Sequence, residues 1–337
     1  MKKLKIVFIG GTERAYKTLK AIKHRNDIEI IFGIFMNGYA HELRYAHDLS
    51  EFASKHKIDH IVCDKIEDDL ISKISELKTD LIFGGGIWRS LLNEKFLSLS
   101  RYGYISLHGT PLPEYRGMAG INWQIIHGKE KIRMRFFRKA QGIDNGDLVA
   151  DELGRVLEYS VDINNELHLG EILKEYDSKH ILAANTLLDK IIEGSITFIK
   201  QDSSEATYSC HFGEDDAEIN WSRTSKEIFN LIRSQSKPYK GAFTFYNRNK
   251  IYIYRSRILP EYSSYVGRIY GKIIDRHKFK NTVAILTQDS AIEIIEAKCG
   301  DIEDIRKIFH SVRLKCMSKE ACVNQILADR FNLFVND

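Results

Sequence analysis

A histidine placed directly after a short apolar run is well positioned for chemistry, and this chain has one at His108, behind Tyr104–Leu107. The segment His108-Gly-Thr-Pro-Leu-Pro113-Glu-Tyr-Arg-Gly117 holds two of the four prolines in 337 residues, so the loop behind the imidazole is stiffened. One histidine is more often structural than functional. A second feature shifts that balance: Gly142-Ile143-Asp144-Asn145-Gly146-Asp147, a glycine-bracketed turn after the apolar pair Phe136-Phe137. A carboxylate brought beside an imidazole favours the charged ring and fixes its orientation, the usual arrangement for general acid–base work. Other chemistries find less support. The five cysteines are odd in number, scattered and without a Cys-x-x-Cys pair, which argues against a disulfide framework or a cysteine zinc site. No His/Cys/Asp cluster stands at ligand spacing, so no metal is expected. Gly10-Gly11 lacks the G-x-G-x-x-G pattern and a suitably placed acid after the second strand, and reads as a tight strand-to-helix turn.

The elements that must position these groups alternate. Leu4–Ile9, Ile28–Phe35, Ile61–Cys63, Asp80–Phe83 and Tyr104–Leu107 read as strands, with helical segments up to Ile22, over Ala46–His56 and over Ile66–Leu77 between them. Such alternation implies a parallel sheet with crossovers, hence an α/β, Rossmann-like, mostly parallel sheet with helices on both faces. Ligands of such sheets sit beyond the carboxyl ends of the strands, which favours the loops after Phe83 and Leu107. A helix is expected over Ile181–Ile192 and a polar linker over Gln201–Thr207. Beyond it, a helix over Ser225–Gln235 precedes strand-like runs at Ala242–Tyr246, Ile251–Tyr254, Arg268–Ile274, Ala284–Leu286 and Ala291–Ala297, with a hairpin turn at Asn247-Arg248-Asn249. These imply a small β-barrel. The expected division is 1–204, 205–304 and a helical tail over 305–337.

With these residues in view, the chain resembles the formyltransferases that use N10-formyltetrahydrofolate, among them methionyl-tRNA formyltransferase and the enzymes acting on nucleotide-linked amino sugars. The family pattern is Asn-x-His, then Leu-Pro-x-x-Arg-Gly, then an Asp-x-Gly turn. Here Ser106-Leu107-His108, Leu112-Pro113-Glu114-Tyr115-Arg116-Gly117 and Asp144-Asn145-Gly146 occupy those places. The likeness continues through Ile121-Asn122-Trp123, Glu205-Ala206-Thr207-Tyr208 and Ile219-Asn220-Trp221 to Lys237-Pro238-Tyr239-Lys240-Gly241-Ala242-Phe243, which resembles the opening of the family's OB-like second domain. The resemblance implies that His108 moves the proton of an attacking amine, that Asp144 orients His108 and raises its basicity, and that Ser106 donates to the oxyanion. It also implies a folate lying against Ser90, Leu91 and Leu92 and against Ala140, Gln141, Gly142 and Ile143, with Trp88 and Arg89 beside it. Ser106 is a departure, because the family has an asparagine there whose amide steadies the oxyanion. Losing one such donor typically costs on the order of 10²–10³ in rate.

Composition bounds the partners. Hydrophobic residues make up 43% and charged residues 28%, the balance of a folded protein. The net charge of +4 is too small for a polycationic partner-binding chain. No apolar run is long enough to span a membrane, and the apolar stretch near the N-terminus is too short for a secretory signal, so a cytoplasmic location is expected. Between Glu227 and Glu261 there is no acid but seven bases, Arg233, Lys237, Lys240, Arg248, Lys250, Arg255 and Arg257, interleaved with aromatics. That pattern describes either a nucleic-acid surface or an ordinary barrel. The stretch from Phe35 to His47 has one arginine and lacks the basic, glycine-rich insertion usual in tRNA formyltransferases. The favoured acceptor is therefore a nucleotide-linked amino sugar of the kind used in surface-glycan and lipopolysaccharide biosynthesis, with tRNA as the alternative. A catalytically impaired member, or a silent scaffold whose OB-like domain binds another macromolecule, is the reading Ser106 leaves open, as is a homodimer.

Overall fold

Strands that alternate with helices cannot close as hairpins, so they pair in parallel through crossovers and bury both of their faces. In the computed structural model, which describes residues 3–37, 45–86, 88, 92–164, 166–277 and 279–331, this begins with β1 (Leu4–Gly10), α1 (Glu13–Lys23), β2 (Ile28–Phe35), α2 (Ala46–Lys55) and β3 (His60–Val62). It continues through α3 (Asp68–Glu76), β4 (Leu81–Gly84), α4 (Glu94–Leu97) and β5 (Tyr104–His108). The parallel strands lie in the order β3-β2-β1-β4-β5. The order reverses between β1 and β4, the point where open α/β sheets place their ligands. Along β1 the side chains alternate between two cores. Ile6 and Phe8 pack with Leu19 of α1, Leu49 of α2 and Leu187 of a later helix, while Val7 and Ile9 pack with Ile71 and Ile74 of α3 and Phe96 of α4. Helices therefore cover both faces, as the alternation implied.

Past β5 come the two-residue β6 (Arg116–Gly117), α5 (Gly120–Ile126), β7 (Lys131–Arg138), β8 (Leu148–Asp151), β9 (Glu158–Asp162), α6 (Leu169–Glu193) and β10 (Ile196–Ile199). The sheet is extended antiparallel, β5-β7-β8-β10, with β9 also paired to β7. Helix α6 starts twelve residues before the expected Ile181, because Leu169, Ile172 and Tyr176 carry the buried stripe back through a charged stretch. The short β11 (Tyr208–Ser209) pairs in parallel with β6. The expected linker over Gln201–Thr207 is thus anchored at both ends: Gln201 is buried, and the Thr207 hydroxyl accepts from the backbone of Tyr115 at 2.9 Å.

The chain divides into two compact units, one of Met1–Gly120, Ile132–Val161 and Lys174–Ser209, the other of Ile121–Lys131, Asp162–Leu173 and Cys210–Asp337. In the second, α7 (Ser225–Ser234) precedes β12 (Ala242–Tyr246), β13 (Asn249–Leu259), β14 (Ile273–Asp275), β15 (Val283–Leu286) and β16 (Ala291–Lys298), in the antiparallel order β12-β13-β16-β15-β14. Asn247 and Arg248 both have positive φ, at 47° and 65°, so the expected hairpin is a two-residue turn closing on the Tyr246–Asn249 pair. Single bridges from Phe245 to Met317 and from Lys272 to Lys315 tie both outer edges to the same segment, which brings the sheet toward a barrel. Ile305, Ile308 and Phe309, from the helix α8 (Ile305–Ile308) and the residue after it, join Cys316 in the core of this unit with Ile228, Ile253, Ile285 and Ile294. Among the described residues, α9 (Lys319–Phe331) is the helix that follows that core.

Candidate active site

Side chains along a strand alternate between faces, so on β5 Ile105 and Leu107 turn into the core beneath α1 and α6, while Tyr104, Ser106 and His108 share the opposite face. Ser106 sits in register between Gly84 on β4 and Phe137 on β7. A Cβ at Gly84 would stand 2.8 Å from the Ser106 Cβ, so glycine is what lets the serine lie there. Ser106 is buried, and His108, one step further, faces the rim.

Asp144 reaches His108 through the turn that follows β7. Gly146 admits no side chain, since a Cβ would fall 1.8 Å from the carbonyl oxygen of Arg138. Asp144 itself is held at φ 46°, a left-handed conformation that costs a non-glycine residue about 1 kcal/mol or more and is characteristic of functional turns. The result is a small electrostatic cluster. Asp144 Oδ2 accepts from the backbone N–H of Gly117 at 3.0 Å and lies 3.7 Å from His108 Nε2. Its other oxygen, Oδ1, lies 3.7 Å from Lys139 Nζ. The same His108 nitrogen is 3.4 Å from the carbonyl oxygen of Tyr115. The imidazole and the carboxylate, thirty-six positions apart in sequence, are brought together on one strand end.

Comparison with known proteins gives the family. A family model described as "Formyl transferase" matches residues 4–169, and one described as "Formyl transferase, C-terminal domain" matches residues 213–313. A methionyl-tRNA formyltransferase of Clostridium novyi (strain NT) is 32% identical over 270 residues, 77% of this chain and 82% of its own. The chain belongs to the formyl transferase family. Among solved structures, HypX from Aquifex aeolicus aligns with 92% of this chain at a TM-score of 0.59 and 14% identity, but this chain spans only 47% of HypX. An N-formyltransferase from Helicobacter canadensis, in complex with folinic acid and dTDP-3-aminofucose, aligns with 88% of this chain and all of its own at a TM-score of 0.64 and 20% identity. At those identities the two structures speak for the fold.

This formyltransferase joins its two site loops through a buried clamp that motif reading alone did not disclose. Arg116, from the Leu-Pro-x-x-Arg-Gly motif, donates from Nε and one terminal nitrogen to Gln201 Oε1 at 3.0 and 2.8 Å. The Gln201 amide in turn donates to the carbonyl oxygens of Asp144 and Gly146 at 2.8 and 2.6 Å. Gln201 therefore holds the aspartate turn against the loop that follows His108. Its signal in the sequence was hidden because it stood in a polar, serine-containing stretch.

The electrostatics of His108 combine opposing influences. Asp144 does favour the charged ring, but burial outweighs it, and with Lys139 opposing as well His108 is held below the usual histidine range. The net effect is an imidazole less basic than a free one, with Asp144 pulling the other way. Burial likewise lowers the Lys139 ammonium, against the pull of Asp144. Lys139 is a residue the motif reading passed over, its only signal being its place just before Ala140. Of the expected folate contacts, Ser90 and Leu91, like Arg89, lie outside the described residues. Leu92 is partly buried against the core that includes Trp88. Ala140, Gln141, Gly142 and Ile143 form an exposed rim running into Asp144. Among the described residues no group of three or more His, Cys, Asp or Glu is placed to hold a metal, and no described helix is long and apolar enough to cross a membrane.

In the second unit the acid-free basic stretch proves largely neutralised by acids from elsewhere in the sequence. Lys240 and Lys250 pair with Glu214 at 2.6 and 3.1 Å, Arg255 with Glu171 at 2.9 Å and Arg257 with Glu293 at 2.6 Å. Lys237 pairs with Glu296 and Arg248 with Asp329. The seventh base, Arg233, is buried and donates to the carbonyl oxygen of Asn164. Hydrogen bonds from Lys240, Tyr252 and Lys250 hold the Glu214 carboxyl down to about 2.

Proposed function

We propose that this formyltransferase moves the formyl group of N10-formyltetrahydrofolate to the amine of a nucleotide-linked amino sugar, in the cytoplasm, with His108, Asp144 and Ser106 as its catalytic groups. Support for the folate comes from the exposed rim of Ala140–Ile143 leading into Asp144, and from the Helicobacter canadensis protein, whose structure holds folinic acid. Two acceptors on Nε2 of His108, the Asp144 carboxylate and the Tyr115 carbonyl, favour the tautomer protonated there and leave Nδ1 to receive the amine's proton. Burial keeps that base neutral at pH 7, and Asp144 stabilises the ring once it is charged. The Ser106 hydroxyl, on the same face of β5, donates to the oxyanion.

The choice of a sugar over tRNA rests on one observation. Six of the seven bases in the stretch that could have served RNA phosphates are already paired with carboxylates of the same unit. Transfer RNA affinity depends on many phosphate contacts, whereas a sugar nucleotide presents a single diphosphate. The dTDP-3-aminofucose in the Helicobacter canadensis structure points the same way. The 32% identity to a methionyl-tRNA formyltransferase favours the other acceptor, so the two are tested side by side. Purified protein is supplied with N10-formyltetrahydrofolate and either a panel of nucleotide-linked amino sugars or charged initiator tRNA. Tetrahydrofolate release with a sugar is expected. Release with tRNA alone would replace the sugar reading.

A further inference from the structure

Ser106 offers the site a short hydroxyl donor, and the structure places a cation against the two rings that flank it. Lys139 Nζ lies 4.8 Å from the ring centroid of Phe137 and 5.7 Å from that of Tyr104. Both rings flank Ser106: Phe137 is its register partner across β7, and Tyr104 precedes it by two on the same face of β5. The Lys139 side chain is 20% exposed, and its backbone N–H is fixed to the carbonyl oxygen of Tyr104 at 2.7 Å. Neighbouring arginines are committed at hydrogen-bond distance, Arg138 to Asp147 at 2.5 Å and Arg135 to Glu158 at 2.6 Å. Lys139 differs. Its contact with Asp144 is longer, at 3.7 Å.

We infer that Lys139 is a further catalytic residue, whose ammonium supplies to the oxyanion the stabilisation that Ser106 alone provides only in part. The inference rests on the formyl-transfer reading above. The amine lone pair forms the new C–N bond while the formyl C=O pair moves onto oxygen, and the amine's proton passes to His108. The oxygen, held by the Ser106 O–H and the Lys139 N–H donors, returns its pair, the bond to N10 of the folate breaks, and that nitrogen takes the proton from His108. A preorganised cation in a water-poor site is worth far more there than in solution.

The test uses the full-length enzyme carrying Lys139→Met, Lys139→Arg, Ser106→Asn and the double variant Lys139→Met/Ser106→Asn. Lys139→Met is expected to lower kcat by roughly 10²–10³ with KM for either substrate little changed, while Lys139→Arg retains more activity. Adding Ser106→Asn to Lys139→Met should recover at least tenfold, since the amide then resumes the lost donation. A Lys139→Met kcat within threefold of the parent overturns the inference. So does a double variant no faster than Lys139→Met. Should no acceptor turn over with the parent enzyme, the acceptor reading fails first, and Lys139 is judged by NMR titration of His108, which needs no acceptor. Removing the ammonium must then raise the imidazole pKa, because Asp144 would be the charged group left acting on that ring, and an unmoved titration refutes the placement.

Discussion

At the scale of single residues the site is a contest over one imidazole. Burial lowers the proton affinity of His108, Asp144 raises it and Lys139 lowers it again. A base must be neutral to act, so a depressed pKa keeps it competent across the neutral range, and activity should fall only when pH drops below the ordinary histidine value of about 6.5. Replacing Asp144 by Asn removes the one carboxylate that favours the charged ring. The acid limb of kcat/KM should then move further down in pH, while the rate falls by about 10²–10⁴. His108→Ala should lose activity by a comparable factor with the fold intact by circular dichroism. Near-parental turnover in either variant would remove the pair from the mechanism. The histidine, the aspartate and the serine departure were all legible in the sequence, because their motifs are local. Lys139 was not, since a lysine acquires meaning here only from the two rings and the carboxylate that folding places around it.

At the scale of elements, what matters is how two loops from distant parts of the chain are locked in register. β5 and β7 pair so that Ser106 lies opposite Phe137 and His108 opposite Arg135, and Gln201 then bonds the turn of Asp144 to Arg116. Gln201→Leu would take the two shortest partners from a buried guanidinium and a donor from the carbonyls of Asp144 and Gly146. Each lost partner costs about 1–3 kcal/mol, and more for the charged group. The expected outcome is a loss of at least about 2 kcal/mol in denaturant unfolding, together with reduced turnover as the Asp144 turn loosens. A variant that unfolds like the parent would show the clamp to be dispensable. The parallel strands and the hairpin at Asn247 were legible because apolar runs and turn residues declare themselves over a few positions. The antiparallel extension through β7, β8 and β10 was not. On β7 charged residues at Lys131, Arg133 and Arg135 alternate with buried Ile132, Met134 and Phe136, and pairing partners supplied from far along the chain decide the outcome.

At the scale of the whole molecule the question is what kind of anion the protein handles. The basic run between Glu227 and Glu261 looked like a polyanion surface when counted along the sequence, yet acids from positions as distant as Glu171 and Asp329 largely neutralise it. A small acceptor carrying one diphosphate releases few counterions. Its KM should therefore change by less than about tenfold between 50 and 200 mM salt, whereas a partner held through six or more phosphates would weaken by about 10³ or more. A steep salt dependence of acceptor KM would point back to RNA. What the sequence by itself determined is the alternating α/β order, the barrel-like second unit and the identities of the imidazole and carboxylate, since each is written in local periodicity or a short motif. Only the tertiary structure decided that burial would lower the basicity of His108, that Lys139 would stand against the Phe137 and Tyr104 rings and that the basic stretch would be largely paired. Burial and Coulomb interactions depend on distance in space, and separation along the chain does not specify it.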